Sequence, residues 1–301
     1  GKECSGFIIF SSKTKKTYKS KKFGLIDSHL DEISSFEGNI GLGHNRYPTG
    51  GQITRKEIQP FSILKPYGIS LVHNGNLTNK EYLEDFLYEH NIFLNSTSDS
   101  EIILNLFYYF IEKEFNKLNN ENIVKCIKNI YELCEGSFSV IIMIRDYGLI
   151  SFRDKYGIRP LVYNINQNNI IISSETCSFA NNNEYKNVLN GEIMIVDLKL
   201  NITKYKIYNE DLRPCIFEYI YFASPESYIN DILVYSFREQ VGFKMADIIA
   251  ENIKSNKIED IDLIVPIPLT SIVSANVISS KLNKPLKYAV MKNRYTYRTF
   301  I

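Results

Sequence analysis

Four segments of the chain place polar side chains beside glycine or at a helix start, where they could capture a carboxylate or an ammonium or stabilise an oxyanion. The first runs from Gly43 to Gly50 and holds Arg46 and Thr49 in a loop that also contains proline. A guanidinium fixed in such a loop is suited to bidentate capture of a carboxylate. Taken alone, the same pattern is more often a turn with one surface arginine.

The second segment is His73-Asn74-Gly75-Asn76. A side-chain amide next to a glycine N–H supplies two donors of the kind that stabilise an oxyanion. Asn-Gly is also the strongest short turn signal, so the pattern by itself predicts a hairpin turn at the end of a strand.

The third segment is Ser98-Asp99-Ser100-Glu101, in which Ser98 and Glu101 predict a capping box at a helix start and Asp99 is a candidate acceptor for a substrate ammonium. The fourth runs from Phe152 through Arg159 to Pro160, and its Arg-Asp pair favours a structural turn between strands.

The elements that must position these segments follow from hydrophobic periodicity. Strands are predicted at 6–10, 68–72, 137–144, 149–153, 160–164, 169–174 and 192–198, with an exposed hairpin at 11–22 and helices from 98 and over 122–134. This pattern is α+β. After about 205, the pattern predicts a helix over 236–254, a strand over 261–267, a helix over 274–284 and a strand over 286–290. The succession of strand, helix and strand predicts an α/β unit.

Composition narrows the class of protein. The 301 residues are enough for two domains, and a net charge of +1 argues against a nucleic-acid partner. Five scattered cysteines fit a reducing compartment. The sequence shows no apolar run of membrane-spanning length, so we expect no membrane association and a cytoplasmic location, with an organelle left open.

Taken together and in order, the motifs resemble the glutamine phosphoribosylpyrophosphate (PRPP) amidotransferase family. The matching segments are 46–49, 59–61, 73–79, 97–101, 152–161, 214–223, 265–268 and 292–295. The resemblance implies an α+β N-terminal-nucleophile (Ntn) αββα glutaminase domain over 1–205. It also implies a partial α/β type I phosphoribosyltransferase domain over 206–301.

The family reaction implied is the first committed step of purine synthesis. Ammonia released from glutamine displaces pyrophosphate from PRPP to give 5-phosphoribosylamine. Carried over by position, Arg46 and Thr49 hold the glutamine carboxylate, Asp99 its ammonium, and Asn74 and Gly75 the oxyanion. The implied partners are glutamine, PRPP and further copies of the chain in a homo-oligomer.

The nucleophile of this family is an N-terminal cysteine whose own amine acts as base. Cys4 is a poor match, because Ser5-Gly6-Phe7 follows it and the start of the chain resembles a later family segment. We therefore expect the chain to lack both ends of the family sequence and to be inactive as given.

The second half offers Lys292, Arg294 and Arg298 as candidate PRPP phosphate ligands, but no acidic PRPP loop. It also departs from the family pattern at Leu269 and Tyr297. The resemblance implies Mg²⁺ with PRPP. Cys215 matches a ligand of the 4Fe-4S cluster that some members carry, and cluster content stays open because one cysteine cannot hold a cluster.

Two alternatives to a bifunctional enzyme stay open at this point. One is an eroded, non-enzymatic remnant that binds glutamine or a partner. The other is a free-standing glutaminase that uses a processed Cys4.

Overall fold

The computed structural model describes residues 3–46, 54–181 and 184–293, and Thr49, Arg294 and Arg298 lie outside them. The chain divides into two compact units. The first comprises Gly1–Ser174 with Lys186–Pro214, and the second comprises Glu175–Tyr185 with Cys215–Phe300. The domain boundary at 205/206 stays a prediction.

A six-stranded antiparallel sheet lies at the centre of the first unit, in the order β12-β11-β7-β6-β5-β4. Its strands are β4 (Phe61–Ile63), β5 (Ile69–Leu77), β6 (Gly136–Ile144), β7 (Gly148–Arg153), β11 (Glu192–Asp197) and β12 (Ile202–Lys206). Alternate side chains on β6 face opposite sides, so Val140 and Ile142 enter one core while Met143 enters another.

Helices cover one face of this sheet. They are α2 (Lys80–Glu89), α3 (Asp99–Tyr109), which continues as a π-helical turn (Phe110–Phe115), and α4 (Asn120–Leu133). The apolar faces predicted for the two later helices bury Ile103 and Phe107 of α3 and Ile127 of α4 against the strands. These two helix predictions are confirmed. Helix α2 was not predicted.

Two three-stranded sheets form the second strand layer. One has the order β2-β1-β3 and the other β10-β8-β9. Their strands are β1 (Cys4–Phe10), β2 (Thr17–Phe23), β3 (Ile40–Arg46), β8 (Val162–Ile165), β9 (Ile170–Ser173) and β10 (Lys186–Asn187). Ile8 and Phe10 pack between β1 and the central sheet. On the outer face of β1, Ser5 and Phe7 contact the segment that carries His29 and the short helix α1 (Leu30–Ser34).

Strand β5 corrects one prediction. Asn74 and Gly75 lie inside the strand rather than in a turn, because the pairing of β5 with β6 continues to Leu77 opposite Gly136. A Cβ at Gly75 would overlap the carbonyl oxygen of Ser137 and approach Nε2 of His73 to 2.5 Å. Glycine is therefore required here by close packing, not by a turn conformation.

This packing makes Gly75→Ala strongly destabilising. We expect a loss of about 2–3 kcal/mol in the free energy of unfolding, measured by urea titration, because a Cβ forces β5 and β6 apart. Gly43→Ala on β3 is the matched control, since a Cβ there meets nothing within 4 Å and should change stability by less than about 0.5 kcal/mol. Equal losses in the two variants would contradict this packing argument.

The second unit has a helix pair as its main feature. Its elements are β13 (Tyr228–Ile229), β14 (Ile232–Leu233), α5 (Val234–Lys254) and α6 (Ile272–Leu282). The two helix predictions are confirmed, but the predicted strands on either side of α6 are reduced to one parallel bridge between Ile264 and Leu286. No helix among the described residues has both the length and the apolar character needed to cross a membrane.

Candidate functional site

The edge of β5 turned away from β6 presents a row of backbone N–H groups. The N–H of His73 donates to Oε1 of Gln59 at 2.7 Å, and the N–H of Leu77 donates to Oδ2 of Asp99 at 3.2 Å. Every second N–H of a strand points the same way. The N–H of Gly75 therefore points to the same edge, between these two acceptors.

Asn74 is held by a guanidinium. Its Oδ1 accepts hydrogen bonds from Nε of Arg159 at 3.2 Å and from Nη2 at 2.9 Å. Arginine has donors and no acceptor, so only the oxygen of the Asn74 amide can face it. The amide nitrogen, Nδ2, must therefore point away from Arg159.

The 153–160 loop holds Arg159 in place from behind. Arg153 is 1% exposed and donates to the carbonyl oxygens of Arg159 at 2.6 Å, of Gly157 at 2.7 Å and of Val188 at 3.2 Å. The carboxylate of Asp154 accepts from the N–H groups of Phe138, Tyr156 and Ile158. The Arg-Asp pair therefore has the predicted structural role, because the side chains of Arg153 and Asp154 both form hydrogen bonds with the backbone of the 153–160 loop.

Asp99 is the first residue of α3 and its side chain is mostly buried. Burial alone would raise the pKa of this carboxyl, but the hydrogen bond from His73, the electrostatic effect of that ring and the N–H of Leu77 lower the pKa to about 2. His73 Nδ1 lies 3.5 Å from Oδ1 of Asp99 and 3.2 Å from Oγ of Ser100. Asp99 is therefore an ionised acceptor at neutral pH, as a site for an ammonium group requires.

The lowered pKa of Asp99 makes stability depend on pH. Its ordinary pKa is 3.8, so the ionised form is favoured by the fold, and this contribution is complete above pH 4 and lost as the pH falls towards 2. We expect the stability advantage of the wild type over Asp99→Asn, about 2 kcal/mol at pH 7, to shrink as the pH falls from 4 towards 2 in urea titrations. Asp85→Asn, at an exposed position of α2, is the control. A gap that is the same at pH 7 and pH 3 would contradict the assignment.

Arg46, at the end of β3, is linked to the same region. Its Nη1 donates to the carbonyl oxygen of Glu57, and the carboxylate of Glu57 accepts from Oγ1 of Thr97 at 2.7 Å, two residues before Asp99. On the same strand, burial together with the neighbouring charges of His73 and Arg46 lowers the pKa of His44 to about 3. Hydrogen bonds through Glu57 therefore link Arg46 to the segment that carries Asp99. Thr49 lies outside the described residues.

Cys4 lacks the properties of an N-terminal nucleophile. It is fully buried inside β1, paired with Phe23 on one side and Arg46 on the other. Burial raises the pKa of its thiol, although the charge of Arg46 opposes this. A buried thiol with a raised pKa is a poor nucleophile.

The start of α3 differs from the predicted capping box. Ser98 is the N-cap residue, but its side chain makes no cap hydrogen bond. The carboxylate of Glu101 instead accepts from the N–H groups of Asn95 and Ser96 and from Oγ of Ser96. Glu101 therefore shapes the loop before the helix, while the N–H of Ser98 donates to Oγ of Ser96 at 3.3 Å.

The second unit gives less support to its predicted ligands. Lys292 is exposed, and Arg294 and Arg298 fall outside the described residues. Cys215 is half-buried with a free thiol. Within the described ranges, no three His, Cys, Asp or Glu side chains lie close enough together to hold a metal ion, and the cluster content predicted from Cys215 stays open.

Two contacts of the site were missed from the sequence. Arg159 was read only as part of a turn, and Gln59 only as part of a motif, yet both side chains hold residues of β5. Gln59 donates to the carbonyl oxygen of His73 at 3.1 Å and to Ser100 at 2.9 Å. The sequence signals these two residues only as members of short polar motifs near predicted strands. Such motifs do not specify which side chains contact each other in the folded protein.

Comparisons with known proteins point to one class of enzyme. A family profile described as a glutamine amidotransferase domain matches residues 44–181. Amidophosphoribosyltransferases of Saccharomyces cerevisiae and Escherichia coli are 34% and 36% identical to the chain over its whole length. The solved glutamine PRPP amidotransferase of B. subtilis, complexed with ADP and GMP, superimposes along the whole chain with a TM-score of 0.82 at 27% identity. The chain is thus similar to glutamine amidotransferases over residues 44–181 and to amidophosphoribosyltransferases along its whole length.

The predicted fold class is thereby confirmed, with an Ntn glutaminase fold in the first part of the chain. The chain spans 61% of the length of the two curated amidophosphoribosyltransferases and 62% of the B. subtilis structure.

Proposed function

We propose that the chain is the glutaminase domain and the first part of the transferase domain of a glutamine-dependent amidophosphoribosyltransferase. The observation that carries this proposal is the edge of β5. There the N–H of Gly75 lies between the N–H of His73, which donates to Gln59, and the N–H of Leu77, which donates to the ionised Asp99. This arrangement combines an anion-stabilising donor with an acceptor for an ammonium.

In the proposed reaction, glutamine binds with its ammonium at Asp99 and its carboxylate at Arg46 and Thr49. A nucleophile adds to the carboxamide carbon, and the carbonyl oxygen becomes an oxyanion. Nδ2 of Asn74 and the N–H of Gly75 then donate to that oxygen. These donors act where charge develops in the transition state, so they accelerate the reaction more than they tighten binding.

The nucleophile of the proposed reaction is an N-terminal cysteine supplied outside the sequence Gly1–Ile301. Cys4 is disfavoured for this role by its burial, and also because the N–H of Gly24 donates to the carbonyl oxygen of Glu3 at 2.7 Å. Exposing Cys4 by removal of the first three residues would break that hydrogen bond.

In the transferase half, ammonia displaces pyrophosphate from PRPP. Lys292, Arg294 and Arg298 would bind the phosphates, and Mg²⁺ taken up with PRPP would offset their negative charge. Among the described residues, no three His, Cys, Asp or Glu side chains are placed to hold that metal. A cytoplasmic homo-oligomer is part of the same proposal.

The test uses the full-length protein encoded by the gene, incubated with glutamine, PRPP and Mg²⁺. We expect glutamate and pyrophosphate to form in equal amounts. Glutamine binding by calorimetry without turnover would favour the non-enzymatic remnant. If the protein showed no glutamine binding and no turnover, the proposal would be overturned. Labelling of Cys4 by an electrophilic glutamine analogue, located by mass spectrometry, would favour the free-standing glutaminase instead.

A further inference from the structure

Three residues on adjacent strands of the central sheet form one row. Asn74 on β5 lies opposite Ser139 on β6, and Ser139 lies opposite Arg153 on β7. Directly opposed residues of an antiparallel sheet share a face, so all three side chains project to the same side. The 153–160 loop passes over this row.

Two members of the row hold the main chain of Arg159, and the third receives its side chain. Oγ of Ser139 donates to the carbonyl oxygen of Arg159 at 3.0 Å, and Nε of Arg153 donates to the same oxygen at 2.6 Å. The guanidinium of Arg159 then returns to Oδ1 of Asn74 with two hydrogen bonds. The sheet therefore holds Arg159 at two points, its main-chain carbonyl oxygen and its guanidinium.

We propose that Arg159 is a positioning residue for the glutaminase reaction, holding the Asn74 amide with Nδ2 turned towards the oxyanion. This inference rests on the proposed function. An asparagine amide can rotate by half a turn and exchange its donor and acceptor. Turned that way, Asn74 would present Oδ1 to the oxyanion, where two negative oxygens would repel.

The guanidinium acts on Asn74 in two ways. It excludes the reversed orientation, because NH₂ facing NH₂ forms no hydrogen bond. Its positive charge also polarises the amide, and hydrogen bonds in a chain strengthen one another, which makes Nδ2 a better donor. Both effects concern the transition state more than glutamine binding.

The experiment compares Arg159→Gln and Arg159→Lys in the full-length protein, with ammonia release from glutamine as the readout. We expect Arg159→Gln to lower kcat about 30-fold or more with KM changed less than about twofold, and Arg159→Lys to lose less because it keeps one charged donor. Arg213→Gln is the matched control. The guanidinium of Arg213 lies over the ring of Tyr156 in the same loop, and the main-chain N–H of Arg213 donates to the carbonyl oxygen of Tyr156 at 2.8 Å.

Two further measurements separate positioning from folding. Guanidinium added to Arg159→Ala should raise kcat several-fold, but should not raise it in Arg159→Ala combined with Asn74→Ala. Arg159→Gln should add little to the loss already caused by Asn74→Ala. A kcat of Arg159→Gln within twofold of the wild type would overturn the inference. So would a double variant whose loss of kcat equals the full product of the losses in Arg159→Gln and Asn74→Ala. Absence of ammonia release from the wild type would instead overturn the proposed function.

Discussion

Replacing Asn74 by alanine is expected to lower the kcat for ammonia release from glutamine by about 10²–10³-fold in the full-length protein, with little change in KM. Removal of one oxyanion donor has an effect of this size, equivalent to about 3–4 kcal/mol of transition-state stabilisation. The effect falls on kcat because Nδ2 of Asn74 contacts an oxygen that carries full charge only in the transition state.

The neighbouring asparagine provides the control. Asn76 lies two residues further along β5 and is exposed. Its Nδ2 makes only a long contact of 3.4 Å, with the carbonyl oxygen of Leu77. Asn76→Ala should leave kcat within about twofold of the wild type. If both variants lost activity equally, the loss would reflect damage to β5 and not the missing donor.

Replacing Arg153 by alanine is expected to lower the free energy of unfolding by about 4 kcal/mol. The variant would leave the carbonyl oxygens of Gly157 and Val188 without their guanidinium donor in a buried region, while that of Arg159 would keep the hydrogen bond from Ser139. Each buried acceptor that loses its partner costs about 1–3 kcal/mol. Losses on this scale come only from specific mechanisms of this kind.

Urea titration followed by circular dichroism measures this effect. Arg213→Ala is the control, because Arg213 is exposed and should change stability by less than about 0.5 kcal/mol. A loss below about 1 kcal/mol in Arg153→Ala would show that water or a rearranged loop satisfies these carbonyls. Because Arg153 also holds the main chain of Arg159, the folded fraction of this variant should be less active than its stability alone predicts.

Much of the fold could be predicted from the sequence where one face of an element is strongly apolar. Helices α3, α4 and α5 and the central strands β6 and β7 match their predicted positions because a continuous core selects their periodicity. The Asn74-Gly75 turn was wrong, since pairing with β6 overrides a local turn signal at that point. The strands predicted beside α6 were also wrong, because an apolar run forms a strand only where a partner strand pairs with it.

The candidate site was predictable as a set of residue types but not as a set of contacts. The donors at Asn74 and Gly75 and the acid at Asp99 stood out because short motifs bring each beside glycine or a helix start. The link between Asn74 and Arg159 spans 85 positions of sequence and depends on how β5, β6 and β7 align. Such a contact follows from tertiary pairing and has no local signature.

A crystal structure of the full-length protein with bound L-glutamine would test the central claim most directly. We expect the α-ammonium to lie within about 3.2 Å of the Asp99 carboxylate. We also expect the carboxamide oxygen to face Nδ2 of Asn74 and the N–H of Gly75, with Arg159 still on Oδ1 of Asn74. Glutamine bound away from Asp99, or with its carboxamide oxygen turned away from these two donors, would contradict the account.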